Sequence, residues 1–289
     1  MQPENLKFLQ DRLFYLGTEQ KLFPELKKQM AEGKPEFSLP LSNMYGNDKL
    51  NLNFQFRKSD TTDMYFLNRF DATLQKPGGN EISRSFKLEN GKGITAKEAY
   101  NLLDGRAVNK DLKNKEGISY NAWVKLDFAN KDENGQAKIL QYHKNYGYDL
   151  QAELSKLPMA NLPGDGKTKL MASLERGNIQ TIKLADFPSH PTILAAANPQ
   201  YKTLDLADET GRYLSKETRQ ALYAAGENKI SQPIVATPVQ EQKKEKKVAV
   251  SLAKEPKMAH KAPQKKTMQE KIAALMPKKQ TSPKRGLHR

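Results

Sequence analysis

Residues 105–150, GRAVNKDLKNKEGISYNAWVKLDFANKDENGQAKILQYHKNYGYDL, decide the fold. Tyr120, Ala122, Val124, Leu126 and Phe128 alternate with Asn121, Trp123, Lys125 and Asp127. That period of two belongs to a half-buried strand. Asn130-Lys131-Asp132-Glu133-Asn134-Gly135 follows with turn chemistry, since Asn and Gly accept positive φ. Ala137 to His143 then returns, so residues 120–143 are predicted as an antiparallel hairpin. The face carrying Trp123, the chain's only tryptophan, admits two readings. Cover by another element is expected of so large an aromatic. An uncovered face would instead give a base-stacking surface from Trp123, Lys125, Tyr142, His143, Lys144 and Tyr146.

Outward from the hairpin, the patterns predict short helices and mostly antiparallel strands, an α+β fold. Asn5 is placed to cap a first helix running to Gly17, and a second spans Thr18 to Ala31 before Gly33. Leu50, Leu52, Phe54 and Phe56 alternate with Asn51, Asn53, Gln55 and Arg57 in the cleanest strand pattern of the chain. Phe37–Leu41, Met64–Leu74 and Ser83–Leu88 read as further strands, the last two joined by Pro77-Gly78-Gly79-Asn80. Thr95 and Glu98 form a capping-box pattern for a helix stopped at Gly105. Beyond the hairpin come helices after Asp149 and from Lys167 to Arg176, strands near 179–184, 193–197 and 201–206, and a helix from Ser215 to Gly226.

Several strings carry a resemblance. They are Gly105-Arg106-Ala107-Val108, Tyr120-Asn121-Ala122-Trp123-Val124-Lys125-Leu126-Asp127-Phe128, Asn145-Tyr146-Gly147-Tyr148-Asp149-Leu150, Ser173-Leu174-Glu175-Arg176-Gly177-Asn178 and Ala197-Asn198-Pro199-Gln200-Tyr201-Lys202-Thr203. With Phe56-Arg57-Lys58-Ser59-Asp60 upstream, they resemble a domain-of-unknown-function family of conjugative transposons and mobilisable elements in Bacteroides-type bacteria. The likeness covers most of residues 35–206. It implies a cytoplasmic protein encoded near DNA-processing genes and supplies no catalytic residues. Pro188-Ser189-His190-Pro191 departs from the family's pattern, which leaves the local strand pairing open.

Charge is unevenly spread. Residues 227–289 hold 16 Lys+Arg against 5 Asp+Glu, whereas residues 1–226 hold 32 against 28. Three regions follow: an N-terminal α+β subdomain over 1–93, a second over 94–226 containing the hairpin, and a Lys-rich tail over 227–289. The tail has no aromatic residue and buries too little surface to offset its ordering entropy, so disorder is expected. At 63 residues such a tail reaches about 45 Å. Thr267-Met268-Gln269-Glu270 opens one short helical pattern at 267–276, with Met268, Ile272, Leu275 and Met276 on one face, suited to a partner's groove. The chain has no cysteine, which excludes disulfides and thiolate chemistry. No apolar run approaches the roughly eighteen residues of a membrane span, and the N-terminus lacks a signal-peptide pattern. A cytoplasmic location is expected.

Candidate chemistry is thin. Asn161-Leu162-Pro163-Gly164-Asp165-Gly166-Lys167-Thr168 ends like a phosphate-binding loop but has Asn where the motif needs its first Gly. Asn130, Asp132, Asn134 and Gly135 mimic the start of a calcium loop, yet its twelfth position is Gln141. His143, His190, His260 and His288 lack metal-ligand spacing. No cofactor, metal or catalytic residue is therefore assigned. Lys243, Lys244, Lys246, Lys247, Lys265, Lys266, Lys278, Lys279, Lys284 and Arg285 suit sequence-independent, salt-sensitive phosphate contacts. The leading expectation is a non-enzymatic mobile-element accessory protein. Its tail would hold DNA or RNA weakly, while its folded body docks an unidentified protein partner. A pure protein-interaction module using the 267–276 helix, and an enzyme of unknown type, are the alternatives.

Overall fold

The structure, a computed structural model, describes residues 2–89, 92–185 and 187–230. They belong to one compact unit. The expected tail, its lysine pairs and the 267–276 helix lie outside these residues, apart from the first residues after Gly226.

Helices α1 (Pro3–Leu13) and α2 (Phe23–Glu32) flank a π-helical turn at Phe14–Thr18. Pro3 and Pro24 each sit in a first turn, where the missing N–H costs nothing. Asn5 is not the expected cap; Gln2 holds that position. Asn5 is instead buried, accepting from the Tyr65 N–H at 2.8 Å and donating to the Tyr65 carbonyl at 3.0 Å. Its amide imitates a strand neighbour for a residue sixty positions away.

Five strands form the first sheet, β1 (Glu36–Tyr45), β2 (Asp48–Lys58), β3 (Tyr65–Gln75), β4 (Ile82–Glu89) and β5 (Lys92–Gly93), paired in chain order. Alternation along β2 delivers Leu50, Leu52, Phe54 and Phe56 to the core, each at most 2 % exposed. Helix α3 (Ala96–Leu103) follows, with both bonds of the Thr95/Glu98 capping box present. The middle sheet is β6 (Val108–Lys113), β7 (Ser119–Lys131) and β8 (Ala137–His143), so the hairpin of 120–143 is present in the predicted sense. Helices α4 (Leu150–Ser155) and α5 (Gly166–Glu175) lead to β9 (Gln180–Lys183), β10 (Thr192–Asn198) and β11 (Thr203–Ala207), a third sheet ordered β11-β10-β9. Helix α6 (Lys216–Ile230) closes the described chain. Every strand pair is antiparallel. The fold is α+β, and β9 pairs with β10 across the Pro188-Ser189-His190-Pro191 segment.

Two cores exist, and they do not divide at residue 93. The first runs from Leu9 through the inner face of the five-stranded sheet and α3 to Val124, Leu126 and Ala137. The second gathers Trp123, Leu154, Leu174, Ile193, Leu204 and Leu222. Neighbouring residues of β7, Trp123 and Val124, thus point into different cores because strand side chains alternate. The middle sheet is the wall the cores share. Arg84, 8 % exposed, ties this wall to β4, donating to the Ala137 carbonyl and facing Asp132 Oδ2 at 3.3 Å. Asp132 Oδ1 accepts from the N–H groups of Asn134 and Gln136, both at 3.0 Å, which makes this stretch a hairpin turn with its carboxylate already engaged.

Polar contacts stitch the halves a second time. Asn101, fully buried, donates to the Arg176 carbonyl at 2.7 Å and to Asn178 Oδ1 at 3.0 Å. Gly177 lies there with φ +78°, and a Cβ on it would stand 2.6 Å from the Ala107 carbonyl oxygen. Gly226 was expected to stop the last helix. It lies inside α6 instead, and a Cβ there would meet the Lys156 carbonyl at 2.0 Å. Tyr100 of α3 stacks on Tyr45 with ring centroids 4.3 Å apart, and its hydroxyl donates to Asp48 Oδ2 at 3.0 Å. Burial, then the charge of Asp104 and the bond to Asp48, push its phenol up to about 12.

Gly177→Ala adds left-handed strain to a backbone clash and should cost about 1–3 kcal/mol in urea unfolding. A cost below a few tenths would show that α5 and β6 do not meet there. Alkaline titration tests Tyr100. Above the ordinary phenol value of 10.0 the unfolded chain releases this proton, while the folded chain keeps it up to about 12. The associated stability is whole below pH 10 and is lost as pH rises through the folded value. Tyr100→Phe should lose less stability than the parent across that window.

Candidate nucleic-acid interface

The face of the middle sheet that carries Trp123 ends in a cluster of tyrosines and lysines. Its first part comes from β7, β8 and the 3-10 turn Lys144–Tyr146, which Gly147 closes at φ +83°. The second comes from the 3-10 turn Pro199–Tyr201 between β10 and β11. Asn198 caps that turn, its Oδ1 accepting from the Tyr201 N–H at 3.4 Å, and Lys202 after it holds φ +54°. A left-handed non-glycine residue costs about 1–3 kcal/mol and persists where surrounding contacts fix it.

Those contacts are visible. Tyr146 donates its hydroxyl to the Gln200 carbonyl at 2.8 Å, and Lys125 Nζ donates to Gln200 Oε1 at 2.9 Å. Lys202 Nζ stands 4.7 Å from the centroid of the Tyr146 ring, a cation–π contact. Tyr142 and Tyr146 lie 4.9 Å apart, tilted by 60°. Burial raises the Tyr142 phenol, and the neighbouring Tyr146, Asp127 and Tyr201 raise it further, so these groups share one electrostatic neighbourhood. Tyr146 is 40 % exposed and Tyr201 71 %. Lys144 is exposed beside them.

The stacking set expected from sequence is therefore split and re-formed. Trp123, only 8 % exposed, packs in the second core with its ring edge-on to Tyr148 at 5.4 Å and offers no face to a base. His143 sits opposite Ala122 in the ladder, whereas Tyr142 sits opposite Trp123. The pleat thus sends His143 to the other face, where it meets Tyr120 at 5.3 Å. Lys125, Tyr142, Lys144 and Tyr146 remain. Gln200, Tyr201 and Lys202 join them, residues the sequence reading had placed around a strand start. The Asn198-Pro199 pair, a turn signal, was the available cue.

Elsewhere the structure offers less chemistry. Among the described residues no three or more of His, Asp and Glu are placed to share a metal. The Asn161–Thr168 loop is preceded by a single bridge, Met159 to Leu184, rather than a strand, and Asp165 leads into α5 with Lys169 paired to it at 3.1 Å. No described helix is long and apolar enough to cross a membrane. No protein-family model, curated protein or solved structure matches the chain.

Proposed function

We propose that this chain is a non-enzymatic, cytoplasmic accessory protein of a mobile element that holds single-stranded nucleic acid. The observation that carries the reading is the tyrosine–lysine ridge of Tyr142, Tyr146, Tyr201, Lys125, Lys144 and Lys202. Exposed aromatic rings flanked by cations serve unpaired bases well, since every base has a stacking face and each is followed by a phosphate. The hydrogen bonds through Gln200 fix the ridge before any ligand arrives, which lowers the ordering cost of binding. Lysine pairs between Lys243 and Arg285 add phosphate contacts without base preference. The mobile-element setting comes from the sequence resemblance, and contact with single strands fits that setting. A protein-docking body is the second reading. Phe14 and Tyr15, 53 % and 78 % exposed on the π-helical turn, form an apolar pair that favours it.

Titration of a labelled thymidine oligonucleotide separates the two contributions. Tyr146→Ala and Tyr201→Ala should each weaken binding by about 1–3 kcal/mol, roughly 5- to 150-fold. Shortening the chain after Ile230 should leave the ring effects in place. If about five tail cations contact phosphates, it should flatten the logarithmic salt slope by about 3.5. Unchanged affinity in both ring variants removes the ridge from the mechanism, and an unchanged slope removes the tail.

A further inference from the structure

Away from the ridge, a cavity of about 510 Å³ opens between the β1–β2 turn, the start of α3 and the approach to β9, lined by Tyr45, Lys97, Tyr100, Arg106, Asn178 and Gln180. Its charge is out of balance. Lys97 Nζ rests 4.0 Å and 4.4 Å from the ring centroids of Tyr45 and Tyr100, and it has no carboxylate within 4.0 Å among the described residues. Arg106 lies beside it. One guanidinium nitrogen, Nη2, reaches Asn101 Oδ1 at 2.8 Å and Asp104 Oδ2 at 3.0 Å, while Nε is buried without a partner. Asp104 is shared with Lys76, and Asp48 receives the Tyr100 hydroxyl. Lys76, Lys97 and Arg106 against Asp48 and Asp104 leave one positive charge over. Partial burial, and then the charge of Arg106, hold the Lys97 ammonium below the usual lysine range, against an opposing pull from Asp104.

Lys97 and Arg106 bring two cations to one half-buried wall where Asp104 pairs directly with Arg106 alone of the two, and the charge left over favours an added anion. A phosphate monoester meets that need. Its double charge and tetrahedral oxygens suit the Lys97 ammonium beside the one remaining arginine nitrogen, Nη1, whereas planar recognition of a lone carboxylate would need the full fork, whose Nη2 is engaged and whose Nε is buried. The hollow has room for more than a bare phosphate, and Tyr45, half-buried and stacked on the buried Tyr100, is the ring that can meet an aromatic group attached to it. We infer that this cavity binds a phosphate-bearing ligand of about nucleotide size, with Lys97 and Arg106 as its phosphate contacts. The inference is independent of the ridge.

Acetylation of the full chain by an N-hydroxysuccinimide ester, followed by peptide mass spectrometry, reads Lys97 directly. Adenosine 5′-monophosphate should slow acetylation at Lys97 by about tenfold once it reaches roughly ten times its dissociation constant. Lys125 and Lys202 in the same digest should change far less, which distinguishes the cavity from the ridge. Inorganic phosphate, adenosine and succinate run in parallel at matched ionic strength. Protection by both phosphate-bearing probes supports phosphate as the recognised group, and protection by the nucleotide alone supports recognition of the whole nucleotide. The assignment is overturned by no protection at Lys97, by equal protection from adenosine, or by equal protection from succinate.

Discussion

The structure depends on the alternation of side chains along β7. Val124 and Leu126 enter the core beneath the five-stranded sheet, and Trp123 enters the core built on the third sheet. Because the period of a strand is two, sliding this strand by one residue would exchange the two sets, taking Val124 and Leu126 out of one core and Trp123 out of the other. The wall is held at two places. Arg84 grips the hairpin turn through Asp132 and Ala137, and Asn101 with Gly177 closes α3 against the end of α5. A residue such as Gly177 therefore matters through what it allows to approach.

The ridge is a consequence of the same wall. Once Trp123 is committed inward, Lys125 is the next residue on that face, and Tyr142 lies across the ladder from Trp123. The turn after β8 and the turn after β10 then bring Tyr146 and Tyr201 to the same end of the sheet. Lys202 stands over Tyr146, and Gln200 is bonded both to that tyrosine and to Lys125. Function in this account sits on the rim of a rigid sheet, presented by two short turns.

Local patterns made much of this readable from sequence. Leu50 to Phe56 announced β2, Thr95 and Glu98 announced α3, and Asn130 to Gly135 announced the hairpin turn. What sequence hid was non-local. Asn5 looked like a cap because nothing near it shows that Tyr65 is its partner. Gly226 looked like a stop because its neighbour, the Lys156 carbonyl, lies seventy positions earlier. Strand β6 is short and carries Lys and Asp among few apolar residues, so it showed no clean period. The division at residue 93 followed a change in local pattern, whereas the cores follow the faces of β7. For the ridge, the sequence supplied the tyrosines of β8 and its turn but not those joined to them by folding, and it could not say which face His143 would take.

Photo-crosslinking tests the central claim most directly. A 4-thiouridine oligonucleotide bound to the full chain and irradiated should leave adducts on Tyr146 and Tyr201, the rings on which the proposed function places bases. Adducts confined to residues 243–285, with the two tyrosines unmodified, would contradict the account.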